Sequence, residues 1–240
     1  MFDDYVQVDT TPLYAGSSGS TKVCHLLWGD GVFYDGDAGD GSRRPVRARG
    51  RRRGWVTKSA LGGESLLEFY FIDVGQGDGI LIKTPDFRHL MIDGGFPRSR
   101  QDTGKNAADF VDWKFYEDYG KDTIELDAML ASHCDADHYG GLWDLLDVGQ
   151  SDELDAEGAT VDAFYHAGLS WWKDADGKKW LGASTSDTGD RFWTQLLEDR
   201  THAEGATSGD GVQLHGWWRD FIATVLQTST KGDQPTPIRR

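Results

Sequence analysis

The sequence predicts an α/β layered domain preceded by a small all-β segment. Three observations lead there. Up to about residue 61, short apolar stretches alternate with Gly/Asp turns. From Leu66 onward, strand-like runs alternate with helical ones. The chain has 240 residues, 38% of them apolar, which is enough to build a packed core and argues against wholesale disorder.

In the first segment the apolar stretches are Pro12-Leu13-Tyr14, Val23 to Trp28, Val32-Phe33-Tyr34 and Gly54-Trp55-Val56. Gly29-Asp30-Gly31 and the Gly/Asp stretch 35–42 lie between them. Short strands about every ten residues predict a small β-barrel over 1–61, a size that forms only a minimal core. Leu13-Tyr14, Gly29-Asp30 and Gly54-Trp55-Val56 resemble the strand and turn pattern of bacterial Src-homology-3-like (SH3-like) domains, although Arg43-Arg44-Pro45 stands where that family often has a tryptophan. The resemblance implies a peptide or protein partner for this segment.

The second region, 66–240, opens with Leu66 to Val74, an apolar and aromatic run that predicts a strand buried on both faces. After the Gly75–Gly79 turn, Ile80-Leu81-Ile82 predicts a second strand, and His89 to Ile92 a third that ends in Asp93-Gly94-Gly95. Residues 106–119 read as a helix, Ala128 to Ala131 as a fourth strand, and Gly140-Gly141-Leu142 as the opening of a helix through Leu146. An acidic loop is expected at 149–160, a fifth strand from Thr160 to Tyr165, a loop at 182–190, and helices at 190–200 and 208–226. Residues 228–240 suggest no element.

The chemistry concentrates in Ser132-His133-Cys134-Asp135-Ala136-Asp137-His138. Two histidines and two carboxylates within six positions, directly after an apolar strand, offer several lone pairs to one place, as metal ligation requires. Loop polarity and helix capping by Asp135 or Asp137 form the competing reading. The segment resembles the H-x-[HD]-x-D-H signature of the metallo-β-lactamase fold. With Phe71-Ile72-Asp73-Val74-Gly75-Gln76-Gly77-Asp78 and Ile92-Asp93-Gly94-Gly95, it is similar to the soluble hydrolase domain of bacterial competence (DNA-uptake) channel proteins.

That resemblance implies an αββα sandwich holding two divalent ions, zinc first and manganese or iron as alternatives. His133 and Asp135 would ligate one ion, and Asp137 and His138 the other. Asp93 would orient a ligand, against its alternative as a turn residue before Gly-Gly. The implied reaction is hydrolysis of a phosphodiester or related ester by a hydroxide held between the ions, with Asp137 as the catalytic carboxylate. Nucleic acid is one such substrate. The carboxylate at Asp135, where many members have histidine, makes the site harder. The family also draws ligands from its second half. Here only His166, His202 and His215 remain as candidates, and a chain that is the amino-terminal portion of a longer protein is one expectation. A non-catalytic scaffold with a degenerate metal domain is the alternative.

Composition narrows the partners. With 25 basic against 40 acidic residues, the net charge of −15 excludes a generally basic nucleic-acid binder. Seven arginines nevertheless crowd positions 43–53, where phosphate contact competes with an irregular, solvated loop. Two cysteines do not make a disulfide scaffold, and no apolar run approaches the roughly 20 residues of a membrane span. The acidic start, Met1-Phe2-Asp3-Asp4, differs from a secretion signal, so a cytoplasmic location is expected. The pairs Trp171-Trp172 and Trp217-Trp218 fit core packing or stacking on a ligand.

Overall fold

A computed structural model describes residues 1–209 and 211–240, at 148, 150 and 151 the backbone alone. The chain is mixed α/β and divides into two compact units. One comprises Met1–Glu68 with Lys83–Arg88 and Trp113–Asp122, and the other comprises Phe69–Ile82, His89–Asp112 and Thr123–Arg240.

The first unit carries strands β1 (Asp4–Tyr5), β2 (Thr10–Tyr14), β3 (Lys22–Leu27), β4 (Gly31–Tyr34), β5 (Arg43–Ala48) and β6 (Arg52–Thr57). They form one antiparallel six-stranded sheet in the order β1-β4-β5-β6-β2-β3. Among the described residues its edges β1 and β3 do not pair with each other, so the expected closure into a barrel is not made. Alternation puts Val6, Leu13, Leu26, Val32, Val46 and Val56 into one fully buried cluster. The arginine run is not an irregular loop. Val46 and Ala48 bury one side of β5, while Arg43, Arg44 and Arg47 lie over the rings of Tyr14, Tyr34 and Phe33.

The second unit is organised by a six-stranded sheet in the order β18-β13-β11-β9-β8-β7. Its members are β7 (Glu68–Phe71), β8 (Ile80–Lys83), β9 (His89–Ile92), β11 (Ala128–Ala131), β13 (Phe164–His166) and β18 (Ile238–Arg239). Strands β9, β11, β13 and β18 run parallel. Parallel neighbours need crossover connections. These carry α1 (Ala107–Trp113) between β9 and β11, and α2 (Ala136–Leu146) between β11 and β13. A parallel pair, β10 (Ile124–Leu126) with β12 (Ala159–Val161), and two hairpins, β14 (Trp172–Lys173) with β15 (Lys179–Trp180) and β16 (Ser184–Asp187) with β17 (Asp190–Trp193), complete the strands. Helices α3 (Arg200–Ser208) and α4 (Gly216–Val225) follow. Tyr139 of α2 stacks on Phe221 of α4 at 5.0 Å between centroids, and Phe221 meets Phe164 of β13 edge-on at 5.6 Å. Burying a side chain of this size is worth about 2–3 kcal/mol, so this aromatic seam anchors α2, and with it the segment after β11.

Several expectations change. The run 66–74 is not a strand buried on both faces: only Glu68–Phe71 is extended, it lies at the sheet edge, and Phe69 and Phe71 are exposed. The predicted fifth strand divides into β12 and β13, so His166 closes a strand instead of following one. Residues 190–193 form a strand, because Thr188 and Gly189, both at positive φ, turn a two-residue hairpin onto 184–187. The helix of that region begins only at Arg200, where Asp199 accepts the His202 amide at 2.9 Å. The predicted helix 208–226 contracts to Gly216–Val225, and its position 210 lies outside the described residues. Residues 238–239 add the strand β18 beside β13. No helix among the described residues is long and apolar enough to cross a membrane.

Candidate metal centre

Parallel strands bring their carboxyl ends to one edge of a sheet, where ligands of α/β proteins commonly bind. The register pairs Leu130 with Ile92 and Ala131 with His166, so Asp93, Ser132 and Ala167 leave the sheet side by side. Helix α2 starts at Ala136, earlier than the Gly140-Gly141 opening read from the sequence. Asp135 occupies its N-cap, and Asp137 and His138 lie in its first turn, where unpaired amides favour negative charge.

Two close approaches fix this turn against the sheet. Gly94 and Gly141 pack backbone to backbone: a Cβ on Gly141 would meet the Gly94 carbonyl oxygen at 2.1 Å. Gly77 has φ +95°, and a Cβ there would lie 1.7 Å from the Asp137 carbonyl oxygen. The Gly-rich turn after β7 therefore abuts the ligand-bearing turn of α2. Gln76 exploits the proximity by donating its Nε2 to Asp137 Oδ2 at 2.9 Å. Asp73, by contrast, accepts the Gly75 amide and serves the turn.

Asp93 is the buried hub. Its φ of +52° is left-handed, a region that aspartate tolerates better than most residues. Its Oδ1 accepts the Ser132 amide at 2.7 Å, and its Oδ2 lies 2.5 Å from Ser132 Oγ and 2.8 Å from His138 Nδ1. A carboxylate only accepts, so in this contact His138 donates from Nδ1, and in the neutral ring Nε2 then carries the free lone pair. The same pairing orients metal-ligating histidines.

Donor atoms of His133, Asp137 and His138 all lie within 4.8 Å of one another, and those of Asp78, Asp93 and His138 form a second such group. The two imidazoles sit 3.7 Å apart between centroids. This donor set of nitrogen and carboxylate oxygen fits a divalent ion of the zinc, manganese or iron kind. Asp135 belongs to neither group. Its Oδ1 accepts the Trp171 indole at 2.8 Å, and its Oδ2 lies 3.7 Å from His133 Nε2.

None of the later histidines joins a donor group among the described residues. His166 is buried at 5% exposure, its Nδ1 accepts the Gly168 amide at 2.9 Å, and its Nε2 has no partner among the described residues. Burial, then Arg240, pushes its imidazole down to about 4. His202 lies in the first turn of α3 against Trp172, and His215 is the N-cap of α4. Cys134 is buried, and burial, then Asp135, pushes its thiol up to about 12. Trp172 and Trp218 are core residues, as the packing reading expects.

Two participants escaped the sequence reading. Ser132 ties Asp93 to both histidines, with Oγ 3.0 Å from His133 Nδ1 and 3.3 Å from His138 Nδ1. Trp171 holds Asp135 from 36 positions away, and nothing local signals it. Asp78, in the Gly-rich turn after β7, joins Asp93 and His138 in the second donor group. Beside Gln76, a cleft of about 420 Å³ is lined by Asp73, Phe96, Arg100, Gln101 and Lys105. Comparison with protein-family models, curated proteins and solved structures returns no match for this chain.

Proposed function

We propose that the chain is a metal-dependent hydrolase of the metallo-β-lactamase type, acting on a phosphodiester or related ester. The observation that carries this reading is the convergence of His133, Asp137 and His138 at one strand edge, with Asp93 holding His138 in the tautomer that frees Nε2. Bound divalent ions supply acidity that activates water near neutral pH and positive charge for the transition state.

The chain's own residues do the rest. His133 and His138 would hold an ion through imidazole nitrogen and Asp137 through carboxylate oxygen, with Asp135 as a ligand of a second ion. Asp137, steadied by Gln76, orients the attacking water and takes its proton at the carboxylate. Arg100 in the adjoining cleft, stacked over Trp217 at 4.3 Å, offers a cation to an anionic substrate. The parallel strands β9, β11, β13 and β18 with their crossover helices support one half of an αββα sandwich. The small antiparallel unit supports an SH3-like module for a peptide or protein partner.

Elemental analysis and turnover of an activated phosphodiester test the reading. The native chain is expected to retain divalent metal and hydrolyse the ester, and His133→Ala/His138→Ala is expected to lose both. Activity that persists in the double variant sinks the site assignment. A native chain without metal or turnover, yet still binding a partner, leaves the scaffold reading.

A further inference from the structure

Strands β5 and β6 form a hairpin in which like charges face each other. The register sets Arg47 opposite Arg53, an arrangement that destabilises an antiparallel pair. The three-residue turn, 49–51, adds Arg51, whose φ of +56° is strained for a residue with a side chain. That turn is nevertheless held firmly. Gly50 donates its amide to Asp118 Oδ1 at 2.7 Å. Arg51 donates Nε and Nη2 to the Tyr116 carbonyl at 3.3 and 3.1 Å, and its guanidinium lies 3.9 Å from the centre of the Tyr116 ring.

The result is a cleft of about 400 Å³ lined by Arg47, Arg51, Arg53 and Gly120. Counter-charge there is incomplete. Asp35 stands 3.6 Å from Arg53 and Glu117 3.7 Å from Arg51, both beyond hydrogen-bond reach. The Arg47 side chain makes no ion pair or hydrogen bond among the described residues, and its guanidinium rests over Phe33 at 4.2 Å. Burial, then Arg51 and Arg53, pushes this guanidinium below its ordinary range, as expected of a half-buried cation short of an anion.

We propose that this cleft binds a phosphate-type oxyanion of two or more charges through Arg47, Arg51 and Arg53. Guanidinium groups present planar forks of donors that match phosphate oxygens, and an anion would relieve the repulsion between facing arginines. The same chemistry comes from a terminal phosphate chain or from a phosphodiester backbone. The site is independent of the hydrolase reading.

Calorimetric titration of the full chain, stripped of metal and held at low salt, tests it with two probes: pyrophosphate and a thymidine octanucleotide. Saturable binding of pyrophosphate is expected, weakened about tenfold by Arg47→Gln and partly restored by Arg47→Lys, with Arg191→Gln as the neutral control. Arg47-dependent binding of the octanucleotide alone identifies the backbone source and also supports the site. The thermal midpoint read by circular dichroism should rise with the bound probe in the native chain and not in Arg47→Gln. Absence of saturable binding by either probe, or equal affinities for Arg47→Gln and Arg191→Gln, overturns the proposal.

Discussion

The edge of the parallel sheet and the arginine hairpin handle buried and crowded charge in opposite ways. At the edge, Asp93 is almost fully buried, yet its carboxylate is met by Ser132 and His138. In the hairpin, Arg47 faces Arg53 across the strands and finds an aromatic ring instead of an anion. A satisfied polar network rigidifies its surroundings, whereas facing like charges that are only partly neutralised raise the energy of the free state and lower it again when a counter-ion arrives. Mutations should therefore cost stability at the edge and return some at the hairpin.

The largest effect is expected at the close approach that holds the edge together. Gly77→Ala combines a left-handed backbone with a methyl driven into the Asp137 carbonyl, and it should cost about 3 kcal/mol or more in urea unfolding. A wild-type midpoint in this variant would mean that the Gly75–Gly79 turn does not pack on α2.

His166 comes next, and it is a pH effect. Its folded value, about 4, lies below the ordinary 6.5, so the unfolded chain takes up the proton first. The stabilisation held by the neutral ring is complete above about 6.5 and is lost as pH falls toward 4, on the order of 3 kcal/mol across that window. Replacing His166 by leucine should flatten the slope of unfolding free energy between those pH values. An unchanged slope would show that another group carries it.

Asp93→Asn keeps a residue that tolerates positive φ and removes the charge facing His138. It should weaken metal retention about 10–100-fold and cost about 1–3 kcal/mol in stability. Metal content and unfolding midpoint equal to wild type would break the link between Asp93 and the histidine tautomer. The smallest effect sharpens the contrast. Arg53→Thr removes one of two facing cations and should stabilise by a few tenths of a kcal/mol at low salt, an increase that fades as salt is raised. A clear loss of stability would show that the arginine pair is internally compensated.

The sequence alone determined where the polar donors crowd and what precedes them. Two histidines and two aspartates after an apolar strand, with Asp-Gly-Gly at the end of an earlier one, put ligand-type groups at strand ends, because strand length and turn chemistry are local properties. It also marked the arginine run by count. Tertiary structure decided which groups meet. Parallel register set Asp93 beside Ser132, and the aromatic seam under α2 fixed where the first helical turn begins. Trp171, distant along the chain, took Asp135 out of the compact donor set. Cross-strand pairing turned the arginine run from a presumed loop into a hairpin with facing charges, and a two-residue turn made strands where a loop and a helix were expected. These outcomes depend on partners far apart in sequence, and periodicity within one segment carries no information about the segment that packs against it.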